Sequence, residues 1–150
     1  MLRLYRVCRN VYEPSDPTGA SRTPGRWHIL AQRVLYFSSS LAMCILELKA
    51  NSVSFISIRN EYHYIDLEIP DNFLIEEVPK SFYKKNWNSK RQLTQDYGNE
   101  WFKTGKSPVL KVYSSVLPTD FNFVLNSTHK DFSRLKFPKP LKIPLDARVN

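Results

Sequence analysis

GRWHILAQRVLYFSSSLAMCILE, residues 25–47, carries a strand, a cap and a helix in one continuous stretch. Arg33 to Phe37 is mostly apolar, which predicts a strand interior to a sheet. Ser38, Ser39 and Ser40 follow, and any of them can cap a helix through its hydroxyl. Leu41, Cys44, Ile45 and Leu48 then fall on one stripe at helical spacing, so residues 40–50 form the clearest helix in the chain. Three polar groups are set into this frame. Arg26 stands between a glycine and a tryptophan, Tyr36 lies inside the apolar strand, and Glu47 flanks the helix stripe. A guanidinium, a phenol and a carboxylate are what a site needs if it holds an anionic ligand and stabilises a cation while a bond breaks.

Outward from this stretch the pattern is mainly short strands. Leu2–Cys8 alternates and reads as a strand, and residues 13–24 are turn formers throughout, a surface loop that ends at Arg26. Val53–Ile58 and Tyr62–Ile69 read as strands, whereas Asp71–Glu77 fits no single pattern. Residues 80–91 (KSFYKKNWNSKR) form a basic, aromatic-studded loop or short helix. Gln92–Phe102 is a helix with Leu93, Tyr97 and Trp101 in line, weakened by Gly98. Val109–Tyr113 and Phe121–Leu125 are two more strands. The tail KFPKPLKIPLDARVN, 136–150, is too rich in proline for a helix and reads as an extended strap. Several strands with few long helices point to an α+β fold in one domain, 1–150.

A chain of 150 residues with 42% hydrophobic content can bury a core without metal or disulfide staples. Cys8 and Cys44 both sit among apolar residues and read as buried free thiols of a reducing compartment, the cytoplasm. No apolar run approaches the roughly 20 residues of a spanning helix, so no membrane partner is expected. The N-terminus carries charge at positions 3, 6 and 9, unlike a signal peptide. The net charge of +8 serves solubility or meets an anionic partner such as a dinucleotide, nucleic acid or acidic protein. His28, His63 and His129 lack metal-ligand spacing, and no CxxC, HExxH, GxGxxG, P-loop or GxSxG element occurs. That weighs against zinc chemistry, a Rossmann cofactor site and hydrolase-fold serine catalysis, and no metal is expected.

Each candidate residue has a plainer role beside the functional one. Arg26 can grip phosphate oxygens bidentately or make a surface ion pair. Trp27 can stack on a ligand ring or fill the core. Tyr36 can stack on an aromatic base or hold its hydroxyl at the domain edge. Glu47 can project into a cleft or remain an exposed helix carboxylate. Ser38 can cap the helix or contact a ligand. Ser114, where a strand ends, can satisfy turn backbone or reach a ligand.

Taken in order, LYRV at 4–7, GA at 19–20, GRW at 25–27, VLYFSSSLA at 34–42 with Glu47, LEIP at 67–70, the Trp101 region, VYSSVLP at 112–118 and NFVLNSTHKDF at 122–132 resemble the RES domain family. No single motif is specific; their order and spacing are. The family is that of the toxins in bacterial RES–Xre type II toxin–antitoxin pairs, and its name comes from arginine, glutamate and serine, which correspond here to Arg26, Glu47 and Ser114. Tyr36 matches the family's site tyrosine. The chain departs from the pattern at His28, where asparagine is usual, at Tyr113, where proline is frequent before the serine, and in the thinner glycine content ahead of Gly25.

The resemblance implies an ADP-ribosyltransferase-like fold, a split antiparallel sheet around an NAD cleft with flanking helices. It implies cleavage of the nicotinamide–ribose bond of NAD, by hydrolysis or by phosphorolysis with inorganic phosphate as co-substrate. It also implies neutralisation by a helix-turn-helix, Xre-like antitoxin, contact with operator DNA only through that complex, and room for a homodimer. In this reading Glu47 stabilises the developing ribosyl cation and Arg26 anchors the diphosphate. Tyr36 stacks on nicotinamide, while Ser114, Ser38 and Trp27 contact the ligand. Two other readings stand beside it: transfer of ADP-ribose to a protein or nucleic acid, and a non-enzymatic RNA-binding regulator using Phe82, Tyr83, Lys84, Lys85, Trp87 and Lys90.

Overall fold

The computed structural model describes residues 1–150. In chain order the elements are β1 (Leu2–Arg9), α1 (Thr18–Arg22), β2 (Val34–Ser38), α2 (Leu41–Ala50), α3 (Phe55–Glu61), β3 (Tyr62–Ile69), β4 (Ile75–Glu77), α4 (Arg91–Thr104), β5 (Val109–Tyr113), β6 (Phe121–Asn126) and β7 (Leu141–Lys142). The strands make one seven-stranded sheet in the order β4-β5-β6-β2-β1-β3-β7. All pairs are antiparallel except β4–β5, which is parallel.

The sheet is split at its centre. β1 pairs with β3 along its whole length, from Leu2↔Ile69 to Arg9↔Tyr62, and β2 pairs with β6 from Val34↔Asn126 to Ser38↔Asn122. Between β1 and β2 the register has a single pair, Tyr5↔Ser38. Two ribbons are thus joined at one point and diverge from it, and a cleft opens at the divergence.

Strand alternation puts a core on each face. Leu4, Leu35, Phe37, Ile65, Leu67 and Ile69 belong to one cluster; Val34, Leu110, Val112 and Val124 belong to another, with Trp27, Trp87 and Trp101. The register sets Tyr36 beside Val124 and Ser38 beside Asn122 on the second face, with Val112 paired to Asn122. The side chains of the site therefore emerge from the end of the face that carries the tryptophans.

Three segments depart from the sequence reading. Residues 53–58 are not a strand: Ser54 caps a helix, its hydroxyl accepting from the Ser57 amide at 3.1 Å, and only Ile58 of α3 is buried. The β-branched run there lacks a second face to pack. The inward face of α2 keeps Cys44 of the expected Leu41–Cys44–Ile45–Leu48 stripe and adds Met43, while Leu41, Ile45 and Leu48 are only half-buried. Glu47, one turn after Met43 and Cys44, therefore lies toward the inward side rather than on the flank. The inward face of α4 is Thr94, Gly98 and Trp101, not Leu93 and Tyr97. Ser40 is the serine that caps α2, accepting from the Met43 amide at 3.1 Å, a bond that stabilises such a helix by about 1 kcal/mol. The tail runs extended as expected. It adds β7 to the sheet edge, and Arg59 pins it by donating to the carbonyls of Leu145, Asp146 and Val149.

Candidate active site

At the split lies a cavity of about 140 Å³ lined by residues of four elements: Arg6 from β1, Tyr36 and Ser38 from β2, Glu47 from α2 with Asn51 just past its end, and Asn122 from β6. Two larger grooves, each about 390 Å³, lie elsewhere. In one, Arg3 is already paired with Asp66 and Glu68; in the other, Arg59 is committed to the tail carbonyls. The smaller cavity is the one where polar groups converge without neutralising one another.

Glu47 is its centre. Ser114 Oγ donates to Glu47 Oε1 at 2.7 Å, and Asn122 Nδ2 donates to the same oxygen at 2.7 Å. The other oxygen, Oε2, has no protein partner. No buried side-chain polar atom in the protein lacks one, so Oε2 is open to the cavity. Asn122 is oriented in turn by Ser38, whose Oγ donates to Asn122 Oδ1 at 2.7 Å. A carboxylate only accepts, which fixes the amide with its nitrogen toward Glu47. Ser38, Asn122 and Ser114 are thus one hydrogen-bonded frame around a carboxylate that presents a single free oxygen.

Ser114 and Ser38 thus spend their hydroxyl protons on the carboxylate and its frame, although Ser38 also lines the cavity. Ser114 is fully buried; its Oγ donates to Glu47 and accepts from the amides of Val116 and Leu117, both at 3.1 Å. Its hydroxyl has no capacity left for a ribose or phosphate. Ser38 is 5% exposed and spends its proton on Asn122. Trp27 is 2% exposed and packs among Phe82, Tyr83, Trp87 and Tyr97, so its indole belongs to the core and does not reach a ligand. The same cluster absorbs the aromatic residues of the 80–91 stretch. Trp87 is buried and Phe82 and Tyr83 are half-buried against it, so of the six residues in the RNA-binding alternative only Lys84, Lys85 and Lys90 are exposed.

Tyr36 lines the cavity with its ring, and its hydroxyl is engaged below. It accepts from the Trp27 amide at 3.1 Å and pairs with His28 Nδ1 at 2.7 Å. His28 Nε2 faces two carbonyls, Ala20 O at 2.7 Å and Thr23 O at 2.9 Å. Carbonyls only accept, so the hydrogen is on Nε2 and Nδ1 receives the Tyr36 proton. Burial pushes the Tyr36 phenol well above its ordinary value, with Arg91 and Arg26 pulling weakly the other way. Gly25 is required at this spot. A Cβ there would lie 2.5 Å from His28 Cε1 and 2.9 Å from the Tyr36 hydroxyl.

Arg26 does not line the cavity. It is half-buried beyond Tyr36, donating Nη1 to Asn88 O at 2.6 Å, within electrostatic reach of Glu47. Burial and the like charge of Arg91 lower its pKa, and it makes no ion pair. Two site residues escaped the sequence reading. Asn122 was one polar letter in an alternating strand. Arg6 was one charged residue of an alternating strand; it lines the cavity, donates Nε to Pro14 O at 2.9 Å and Nη1 to Tyr36 O at 3.3 Å, and has no carboxylate partner. Burial lowers its pKa too. Its Nη2 is uncommitted. The only signal that could have found Arg6 was the LYRV motif itself.

A carboxylate, a tyrosine and the unpaired guanidinium of Arg6 around one small cavity, with Arg26 beyond it, suit a ligand with a ring, a cationic centre and an anionic tail. No group of three or more histidine, cysteine, aspartate or glutamate side chains converges anywhere in the protein. No helix is long and apolar enough to cross a membrane.

A family model described as RES domain matches residues 3–146. A protein named Toxin Res from Yersinia enterocolitica is 31% identical over 99% of this chain and 99% of its own length. Toxin Res from Photorhabdus laumondii is 29% identical over 97% of this chain and 96% of its own. A protein named Prs ADP-ribosylating toxin from Sphingobium sp. is 27% identical over 92% and 89%. Among solved structures, a chain of the M. tuberculosis MbcT–MbcA toxin–antitoxin complex superposes with a TM-score of 0.73 at 16% identity, covering 95% of this chain and 84% of that one; it shares the fold.

Proposed function

Since the chain belongs to the RES domain family, matched over residues 3–146, we propose that it is the toxin of a toxin–antitoxin pair and depletes NAD by breaking the nicotinamide–ribose bond. The observation that carries this reading is the single free oxygen of Glu47, held by Ser114 and Asn122 in a cavity whose one other charged group is the unpaired guanidinium of Arg6.

Nicotinamide attached to ribose is a pyridinium cation and leaves as a neutral molecule, taking the bonding electron pair with it. No general acid is needed. The barrier lies in the ribosyl cation left behind. Glu47 Oε2 stabilises that charge as it develops, and its two hydrogen bonds to Oε1 keep the carboxylate from turning during the reaction. Oxygen of water or of inorganic phosphate then bonds to the ribose carbon, and the nucleophile's proton, where it carries one, passes to solvent.

A cavity of about 140 Å³ is smaller than the roughly 300 Å³ at which whole-ligand pockets begin. It receives the nicotinamide riboside end, with the ring against Tyr36. The diphosphate lies toward Arg6 and Arg26, which hold the ribose against Glu47. The partner that neutralises the protein is a helix-turn-helix antitoxin, as the resemblance implies, and operator DNA is reached through that complex.

The test is product analysis by mass after incubating purified, antitoxin-free protein with NAD, with and without phosphate. Nicotinamide with ADP-ribose identifies hydrolysis, and nicotinamide with the phosphorylated sugar identifies phosphorolysis. No loss of NAD under either condition refutes the reading. The name of the Sphingobium relative favours a second reading, transfer of ADP-ribose to a protein; label from NAD that stays on an added protein fraction selects it.

A further inference from the structure

The backbone segment that carries Arg26 is held from behind by a helix that contributes nothing to the cavity. Along one face of α4, residues 91, 94, 95 and 98 meet four consecutive carbonyls. Arg91 Nη1 lies 3.4 Å from Pro24 O, Gln95 Nε2 donates to Gly25 O at 2.7 Å, and Thr94 Oγ1 donates to Arg26 O at 2.5 Å. At residue 98 there is no side chain, and the Trp27 carbonyl occupies its place: a Cβ there would sit 1.7 Å from Trp27 O. The spacing i, i+3, i+4, i+7 is the helix's own repeat. Residues 91 to 98 span about two turns of α4, roughly 10 Å of rise, and over that length the helix meets the four carbonyls in turn. The segment is closed on its far side by Gly25 N donating to His28 O at 3.1 Å and by the Tyr36 hydroxyl on the Trp27 amide.

We propose that this face of α4 is a positioning device for Arg26, with Gln95 and Thr94 as positioning residues that set substrate affinity without touching substrate. The inference rests on the NAD reading only for its kinetic signature. Gln95 bears the most informative contact. Thr94 is fully buried and has a second acceptor, Arg91 O at 3.0 Å, whereas Gln95 is half-buried and its donation to Gly25 O is the direct tie across to the segment. The amide neither packs the core nor caps the helix. Its loss frees the peptide between Gly25 and Arg26, and with it the origin of the Arg26 side chain. A guanidinium that must find its place on binding gives weaker affinity at an unchanged chemical step.

The experiment compares wild type, Gln95→Leu, Arg26→Ala and the double variant, with Gln92→Ala as control, since Gln92 faces outward and binds only Asp96. Gln95→Leu is expected to raise KM for NAD about tenfold with kcat within about twofold, and the double variant is expected to match Arg26→Ala alone. Independent, additive losses, or an unchanged KM in Gln95→Leu, overturn the proposal. If Gln95→Leu does not fold, Gln95→Asn, which keeps the amide and withdraws it by one methylene, is judged by the same criteria. The second measurement needs no activity: NMR relaxation of the Arg26 Nε–Hε group, assigned by its loss in Arg26→Ala. An ordered signal in wild type and Gln92→Ala that becomes mobile in Gln95→Leu supports the device, and equal order in all three refutes it. A wild type that leaves NAD intact sinks the functional reading and leaves this second measurement to decide the positioning role.

Discussion

Glu47→Gln is the substitution for which the geometry makes the sharpest demand. Both hydrogen bonds to this side chain end on Oε1, from Ser114 and from Asn122, each at 2.7 Å. A glutamine can present its carbonyl oxygen to both donors and set its amide nitrogen where Oε2 was. Each bond changes from charge-assisted to neutral, a loss of about 1 kcal/mol apiece. The expected destabilisation is about 2 kcal/mol, or roughly 4–8 °C in Tm at this chain length. The variant stays folded. Its catalysis is another matter. A full negative charge roughly 4 Å from a developing cation in a site of effective dielectric about 20 is worth about 4 kcal/mol. Removing it slows the chemical step about a thousandfold. The assay is nicotinamide release at saturating NAD, with Tm measured on the same sample. A folded Glu47→Gln that keeps more than about a tenth of kcat refutes the charge-stabilisation argument. A variant that unfolds refutes the claim that one oxygen carries both structural bonds.

Four further outcomes follow from the same structure. Asn122→Ala removes one of the two donors to Glu47, and kcat should fall about tenfold to a hundredfold, the worth of a hydrogen bond to a charged group, read in the same nicotinamide assay. Arg6→Gln should raise KM for NAD at least tenfold, since the guanidinium lines the cavity with no acidic partner to lose; calorimetric titration with ADP-ribose checks it without turnover. Gly25→Ala drives a methyl into His28 and Tyr36, and thermal melting should show a loss of about 1–3 kcal/mol. Folding stability should be level from neutral pH to about 8.5 and decline above it, first as the unfolded state releases the thiol protons of Cys8 and Cys44 that burial holds in the fold, and further above about 10. Burial raises the Tyr36 phenol and pushes those of Tyr83 and Tyr97 up to about 12, so the folded state keeps protons that the unfolded state releases once pH passes the ordinary tyrosine value. The unfolded state then binds fewer protons, which makes the slope of stability against pH negative. Urea midpoints between pH 8 and 11 read it, and a midpoint that rises there contradicts it.

Local pattern made most of the fold legible. β1, β2, β3, β5 and β6 alternate or run apolar over the right lengths, and Ser40 before a run of helix formers announces α2. What failed did so for tertiary reasons. Val53–Ile58 has strand composition, but Ser54 caps it and only Ile58 finds a core to enter. The inward faces of α2 and α4 keep Cys44 and Trp101 of the expected stripes but otherwise depart from them, because each packs polar or vacant positions: Glu47 against Ser114, and Gly98 against a carbonyl. Hydrophobic periodicity cannot see a face defined by hydrogen bonds. The site shows the same division. Arg26, Tyr36 and Glu47 could be picked out by residue type and Ser114 by its place at a strand end, and the family resemblance grouped them. The tasks of Ser114 and Ser38 could not, because a serine that binds a ligand and a serine that holds a carboxylate have the same letter.

The cleft itself depends on a property that has no sequence signature. β1 and β2 share one registered pair, Tyr5↔Ser38, although both are ordinary strands. Full pairing of the two would bring Arg6 and Tyr36 into a continuous sheet surface and close the gap. Across the gap Arg6 donates to Tyr36 O, and it also reaches Pro14 O in the loop after β1. Cys44 of α2 puts its thiol on Tyr5 O at 3.2 Å, at the one registered pair. At Tyr36 O a side chain thus takes a backbone acceptor that the neighbouring strand would otherwise use. The same Arg6 lines the cavity with no carboxylate partner. One guanidinium both occupies a carbonyl at the opening and charges it.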